Sequence, residues 1–217
     1  MKALLRSRWT KPVVWVACLT PIAMLAWGAY KNDLTANPIE YITHATGDWT
    51  IRFLLITLAI TPLRRALNLP DLIRYRRLFG LFAFFYGVLH LMTWMWLDKF
   101  FDTHEMWADV VKRRFITMGM LGFLAMLPLA ITSTTGWIRR LGGKRWQRLH
   151  RLIYLSAAAG VVHYYWLVKS DVRKPLRYFS ILALLLLARP VTSRLSASKP
   201  SPRNKVAASS VAPQREL

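Results

Sequence analysis

Cysteine is almost missing from this chain of 217 residues: Cys18 is the only one. A lone thiol within an apolar run excludes an internal disulfide, a Cys-ligated iron–sulfur cluster and a Cys-x-x-Cys-His attachment of haem. Acidic residues are scarce too, 10 Asp and Glu against 31 Lys and Arg, leaving a formal charge of +21. No Gly-x-Gly-x-x-Gly motif occurs, so the dinucleotide fingerprint is lacking and any electrons must come from another molecule. Also lacking is the polar balance of a soluble globule, since 54% of the residues are hydrophobic. Abundant apolar residues flanked by unbalanced basic charge are what a membrane protein needs. The expected surface partner is membrane lipid, not nucleic acid.

Apolar runs of roughly spanning length lie at about residues 12–30, 49–63, 78–97, 115–133, 150–168 and 176–189. They predict an all-α integral membrane protein, a six-helix transmembrane bundle over residues 1–190. The second and last runs are short for a bilayer, so each either extends through a polar-tipped turn or inserts incompletely. With the N-terminus cytoplasmic, 21 of the 31 basic residues fall in cytoplasmic segments, together with only two acids, Asp71 and Glu216. The positive-inside rule therefore predicts that both termini are cytoplasmic. The start MKALLRSR also suits a cleaved signal peptide, but the long apolar stretch with Pro12 and Pro21 favours an uncleaved anchor. Residues 191–217, rich in Ser, Pro and basic side chains, are expected to form a disordered cytoplasmic tail against lipid.

Five histidines remain to be placed. His44 and His104 fall in polar outer segments, where solvation accounts for them. His90 and His163 lie inside apolar runs, where an ionisable group is costly and signals function by default. The rival reading is a neutral imidazole hydrogen-bonded between helices. Back along one helical face from His90 stand Gly87, Ala83 and Gly80, and back from His163 stand Gly160, Ala159 and Ser156. Such stripes let helices approach closely. They also let a flat macrocycle slot in beside an axial ligand, a reading that uses the histidine as well as the missing bulk.

His90 and His163 each stand about 12 or 13 residues beyond a basic boundary, roughly 18–20 Å by helical rise, so both reach one depth and can share one iron. His150, about 20 Å from His163 by the same rise, cannot join them. It is either the ligand of a second, inner haem or an interfacial residue among lipid-facing arginines. The position opposite it falls near Arg76, and no histidine stands there.

The segments ITPLRR (60–65), IRYRRLFGL (73–81), LHL (89–91), TST (132–134), RWQRLHRLIYL (145–155) and HYYWLVK (163–169) resemble, in order, the ferric-reductase-like transmembrane domain. The resemblance is sharpest to the haem-binding membrane subunits of bacterial periplasmic methionine sulfoxide reductase systems. It implies a multi-pass b-type cytochrome of the bacterial inner membrane with haem b in one copy, or in two if His150 holds the second. It implies electron relay to a periplasmic, molybdopterin-containing methionine sulfoxide reductase that repairs oxidised proteins. FMN is implied as well, with electrons arriving from the quinone pool or a cytosolic flavin reductase. Where the wider superfamily has a second histidine on the third helix, this chain has Arg76 or Arg77, which become candidate inner-side contacts to haem or flavin.

Other features are less specific. Arg74, Arg76, Arg77, Arg145 and Arg148 could hold a flavin phosphate or anionic lipid. The outer residues Asp98, Asp102, Glu105, Asp109, Lys112 and Arg113 are the expected docking face for a periplasmic partner. Trp94, Trp96, Trp107, Trp137 and Trp146 suit interfacial belts, or the neighbourhood of a haem edge. No catalytic residue is expected, because the iron relays electrons and the protein makes or breaks no bond. The rival functions are a quinol-oxidising cytochrome b subunit of another respiratory complex, a ferric reductase and, outside redox chemistry, a membrane transporter.

Overall fold

The computed structural model describes residues 7–197, so most of the expected tail lies outside the described residues. Helix α1 spans Thr10–Tyr30 and α2 spans Pro38–Ala66. A short 3-10 turn, Pro70–Leu72, leads into α3, Ile73–Met92, whose last turn runs on as a π-helix over Thr93–Asp98. Helix α4, Thr103–Lys112, is brief, and α5 covers Arg114–Ile131. Two short helices of seven residues each, α6 at Thr135–Leu141 and α7 at Gly143–Leu149, precede α8 at Leu152–Leu167 and α9 at Arg173–Ala197. No strand occurs among the described residues.

Four of these stretches are long and apolar enough to cross a membrane by length and composition: Thr10–Tyr30, Pro70–Asp98, Arg114–Ile131 and Arg173–Thr192. The molecule is an integral membrane protein. Helix α2 is far longer than its apolar run, because Pro38 and the Asn37 cap begin it and Arg64 and Arg65 complement the dipole at its end. Its inward threonines do not break it: Thr46, Thr50 and Thr57 are buried, and each hydroxyl donates to a carbonyl one turn back. The last helix likewise continues through Pro190 to Ala197, past the end of its apolar run.

Two close helix pairs make the frame. Helix α2 packs along α3, and α5 packs along α8, while α3–α5 and α2–α8 contacts join the pairs and α9 lies against α2 and α8. Aromatic rings fill the first pair, with Phe53 stacked near Phe79, Phe82 and Tyr86. The second pair is tight because Gly122 lets α8 approach: a Cβ there would sit 3.4 Å from the Ala159 Cβ and from the Ser156 carbonyl. The Ser156 hydroxyl ties the two by donating to the Gly122 carbonyl at 2.9 Å. Ala83 and Ala159 are buried in these seams, so part of each small-residue stripe serves helix packing.

Helix α1 is held mainly by one buried phenol. The Tyr86 hydroxyl donates to the Cys18 carbonyl at 2.9 Å and accepts from the Ile22 amide at 3.2 Å, occupying the rung that these two groups would otherwise close. Pro21 stands within that turn. The remaining surface of α1 exposes Val13, Val16 and Met24, as a lipid-facing helix should. Tyr86→Phe is expected to destabilise the protein by about 0.5–1.5 kcal/mol, the net worth of a hydrogen bond, because the released Cys18 and Ile22 groups can close their own helical rung. Thermal unfolding with limited proteolysis checks it; an unchanged midpoint and an equally protected α1 would contradict the assignment.

Candidate functional site

Between the two helix pairs lies a cavity of about 590 Å³, within the usual range for cofactor sites. Leu54, Gly87, Met126, Ser156 and Gly160 line its depth, and Asn37, His44, Asp48, Trp94, Asp98 and Arg113 surround its mouth. His90 from α3 and His163 from α8 enter it from opposite sides. Their ring centroids are 6.0 Å apart, with planes at 76°.

One device orients both rings. The His90 Nδ1 lies 2.9 Å from the Thr43 carbonyl of α2, and the His163 Nδ1 lies 2.6 Å from the Phe115 carbonyl of α5. A carbonyl only accepts, so each Nδ1 carries the proton and each Nε2 keeps its lone pair. Four residues beyond each carbonyl is a glycine against the same ring. A Cβ on Gly47 would stand 3.1 Å from the His90 Cε1, and one on Gly119 would stand 2.8 Å from the His163 Nδ1. Both glycines therefore let a helix backbone come close enough to hold an imidazole by its outer nitrogen.

This arrangement fits a haem. Two neutral imidazoles could each offer a free Nε2 to a metal, their outer nitrogens fixed as those of metal-binding histidines usually are. A separation of 6.0 Å between rings leaves room for one metal ion with bonds of about 2 Å on each side. No group of three or more His, Cys, Asp or Glu is assembled for a metal among the described residues. Gly87, Gly160 and Ser156 line the cavity, so these members of the two stripes supply space where Ala83 and Ala159 supply packing.

The remaining residues named from sequence separate. His44 reaches the rim and faces Glu40 at 3.9 Å, while His104 lies outside the lining. His150 lies at the other end of α8, stacked on Trp146 at 3.9 Å. The Thr132 hydroxyl donates to the Pro128 carbonyl, so it accepts from the His150 Nε2 at 3.1 Å, and that nitrogen carries the proton. His150 is thus in the opposite tautomer to the cavity pair. Arg77 is exposed and Arg76 half-buried, near enough for its charge to act on His150.

Two expectations change. Trp94 is not a belt residue with Trp96 and Trp107: the π-helix turns it to the cavity, where its buried Nε1 has no partner, while the other two are exposed. Asp102 caps α4, accepting from the His104 and Glu105 amides at 2.9 and 3.0 Å, and Asp109 is spent on Lys99 at 2.9 Å and Arg113 at 3.1 Å. These two acids brace the mouth, which leaves Glu105 and Lys112 as the more available docking charges. Thr43, Gly47, Phe115 and Gly119 were missed; a glycine four residues after a carbonyl is a weak local signal that acquires meaning only with a histidine opposite.

The fold and cavity define a helical membrane protein with two imidazoles facing each other across a central cavity. Residues 46–161 match the family described as ferric reductase like transmembrane component. The chain is 50% identical over 190 residues to the protein-methionine-sulfoxide reductase heme-binding subunit MsrQ of Caulobacter vibrioides, covering 88% of this chain and 90% of that one. It is 54% identical over 181 residues to the MsrQ of Herminiimonas arsenicoxydans, covering 82% and 83%, and 50% identical over 186 residues to that of Rhodospirillum rubrum, covering 86% and 89%. The chain belongs to the ferric-reductase-like transmembrane family and, within it, to the MsrQ subunits.

Lys99 at the mouth makes a testable pH probe. Its hydrogen bond to Asp109 raises its pKa above the ordinary lysine value, with burial opposing. Since the folded value is the higher, the stabilisation is complete below the unfolded value and is lost as pH rises through the folded one. The thermal midpoint should therefore fall more steeply in the wild type than in Lys99→Met as pH rises above the ordinary lysine value. Equal slopes in the two proteins would contradict this.

Proposed function

We propose that this chain is the haem-carrying electron relay of a methionine sulfoxide reductase system, a b-type cytochrome and not the subunit that transforms the substrate. The single observation that carries the reading is the facing pair His90 and His163, each fixed through Nδ1 with its Nε2 lone pair free. His90 and His163 would hold haem b, each through its free Nε2 lone pair. When bound, the haem supplies a one-electron couple. The protein's part is to hold the imidazoles at one depth, to make room with Gly87 and Gly160, and to keep water out with Leu54, Phe123 and Met126.

In this reading all six long helices cross the bacterial inner membrane, with α2 and α8 joining the four more apolar ones because they wall the same cavity. Both termini are cytoplasmic, as the distribution of basic residues supports. Residues 1–190 are the haem domain and 191–217 a cytoplasmic tail. The cavity mouth then faces the periplasm, where a molybdopterin-containing reductase collects the electrons. The quinone pool or a cytosolic flavin reductase supplies them at the opposite end. His150, with Arg76 and Arg77, marks the place for a second haem or for FMN, and a haem there would require His150 to release Thr132 and change tautomer.

Reduced-minus-oxidised visible spectra of purified wild type, His90→Ala, His163→Ala and His150→Ala test this. Loss of the outer b-type signal with either cavity histidine is expected, with His150→Ala retaining it. Gly119→Ala should lower haem content more than Gly47→Ala, because its Cβ meets the ring at the shorter distance. Full haem retention in both His90→Ala and His163→Ala would refute the proposal.

A further inference from the structure

The far end of the bundle gathers cations from three helices. Arg64 ends α2, Arg76 begins α3 and Arg189 lies near the end of α9, so three helices contribute. All three side chains are half-buried. They are close enough for the charge of Arg64 to act on Arg76 and that of Arg76 on Arg189, with Arg65 adding to the field. The Arg189 guanidinium lies 4.6 Å from the centre of the Tyr154 ring, and one of its terminal nitrogens donates to the Leu58 carbonyl at 3.4 Å. No carboxylate is described against Arg64, Arg76 or Arg189.

Hydrogen-bonding capacity is left over at the same place. Among the described residues five buried side-chain polar atoms have no partner, and three of them are Thr61 Oγ1, Arg64 Nε and Arg189 Nε. Thr61 is one turn before Arg64 and Arg65 on α2, on the same face. Of the other two, Trp94 Nε1 belongs to a residue lining the cavity and Asp109 Oδ2 is ion-paired with Lys99 at 2.9 Å. Clustered guanidiniums in partly dry surroundings are costly unless an anion offsets them. The guanidinium fork matches the oxygens of a phosphate, and a threonine hydroxyl adds a further donor.

We propose that Thr61, Arg64, Arg76 and Arg189 form a binding site for a phosphate group, carried by a phospholipid head at the membrane surface or by a soluble phosphate. The site holds the ends of α2, α3 and α9 together through the shared anion. Of the arginines first considered for such a role only Arg76 takes part; Arg74, Arg77, Arg145 and Arg148 are exposed. The inference goes beyond the electron relay and does not depend on haem ligation.

The test is thermal unfolding of the full-length protein in phosphate-free detergent at fixed ionic strength. It is titrated with phosphatidylglycerol, with diacylglycerol lacking the phosphate, and separately with inorganic phosphate. A rise in midpoint with phosphatidylglycerol but not diacylglycerol assigns the site to a lipid head; a rise with inorganic phosphate assigns it to a soluble ligand. In Arg64→Gln and Arg189→Gln the apparent affinity should fall about tenfold, the scale of a lost charged hydrogen bond, while Lys144→Gln, an exposed change at the same end, leaves it unchanged. Arg189→Lys keeps the charge without the fork and should weaken binding if Arg64→Gln does not fold. No rise with either phosphate source, or an equal loss in Lys144→Gln, would overturn the site. The b-type spectrum of the same samples reports separately on the haem proposal.

Discussion

Everything in the cavity depends on two hydrogen bonds from imidazole Nδ1 to backbone carbonyl. The bond from His90 to Thr43 and that from His163 to Phe115 fix which nitrogen of each ring stays free and where it points. Neither carbonyl is spare in an ordinary helix, since each would accept from the amide four residues on. In both cases that residue is the glycine lying against the ring, Gly47 or Gly119. The same solution appears once in each helix pair, so α2 serves α3 as α5 serves α8.

The rest of the bundle keeps those pairs in place. Aromatic packing between α2 and α3 and the Ser156 contact between α8 and α5 set the two walls rigidly, so the space between them is a property of the frame. At the mouth, Lys99 and Arg113 converge on Asp109 and fasten α4 beside the opening. A π-helical turn after His90 swings Trp94 inward and gives the mouth an unspent N–H donor. Toward the opposite end the cations accumulate, and the molecule acquires a polarity along its length that suits a conductor between two aqueous faces.

Much of the fold was legible in the sequence because a hydrophobic run of spanning length has few other uses. A helix lies over each of the six apolar runs, although the ends of α2 and α9 extend beyond them: Asn37 capping, threonine back-bonding and late arginines sustain a helix where hydropathy fades. That His90 and His163 come together was legible from their place in apolar runs, the small residues beside them and their common depth. The small-residue stripes were legible only in part, since Gly87 and Gly160 open the cavity while Ala83 and Ala159 seal seams, and spacing on one helix does not reveal which neighbour it meets. Which of its two expected places Trp94 takes was not legible, because a π-turn shifts the register after His90 and composition does not announce it. Arg76 and Arg189, 113 positions apart, come near each other only through tertiary packing.

Electron paramagnetic resonance of the oxidised protein addresses the central claim most directly, because the signal reports both the identity of the axial ligands and the angle between their planes. Two neutral imidazoles at 76° predict a low-spin ferric signal of the strongly anisotropic type given by crossed ligand planes, abolished in His90→Ala and in His163→Ala. A high-spin signal in the wild type, or a low-spin signal that survives both substitutions, would contradict the account of this cavity.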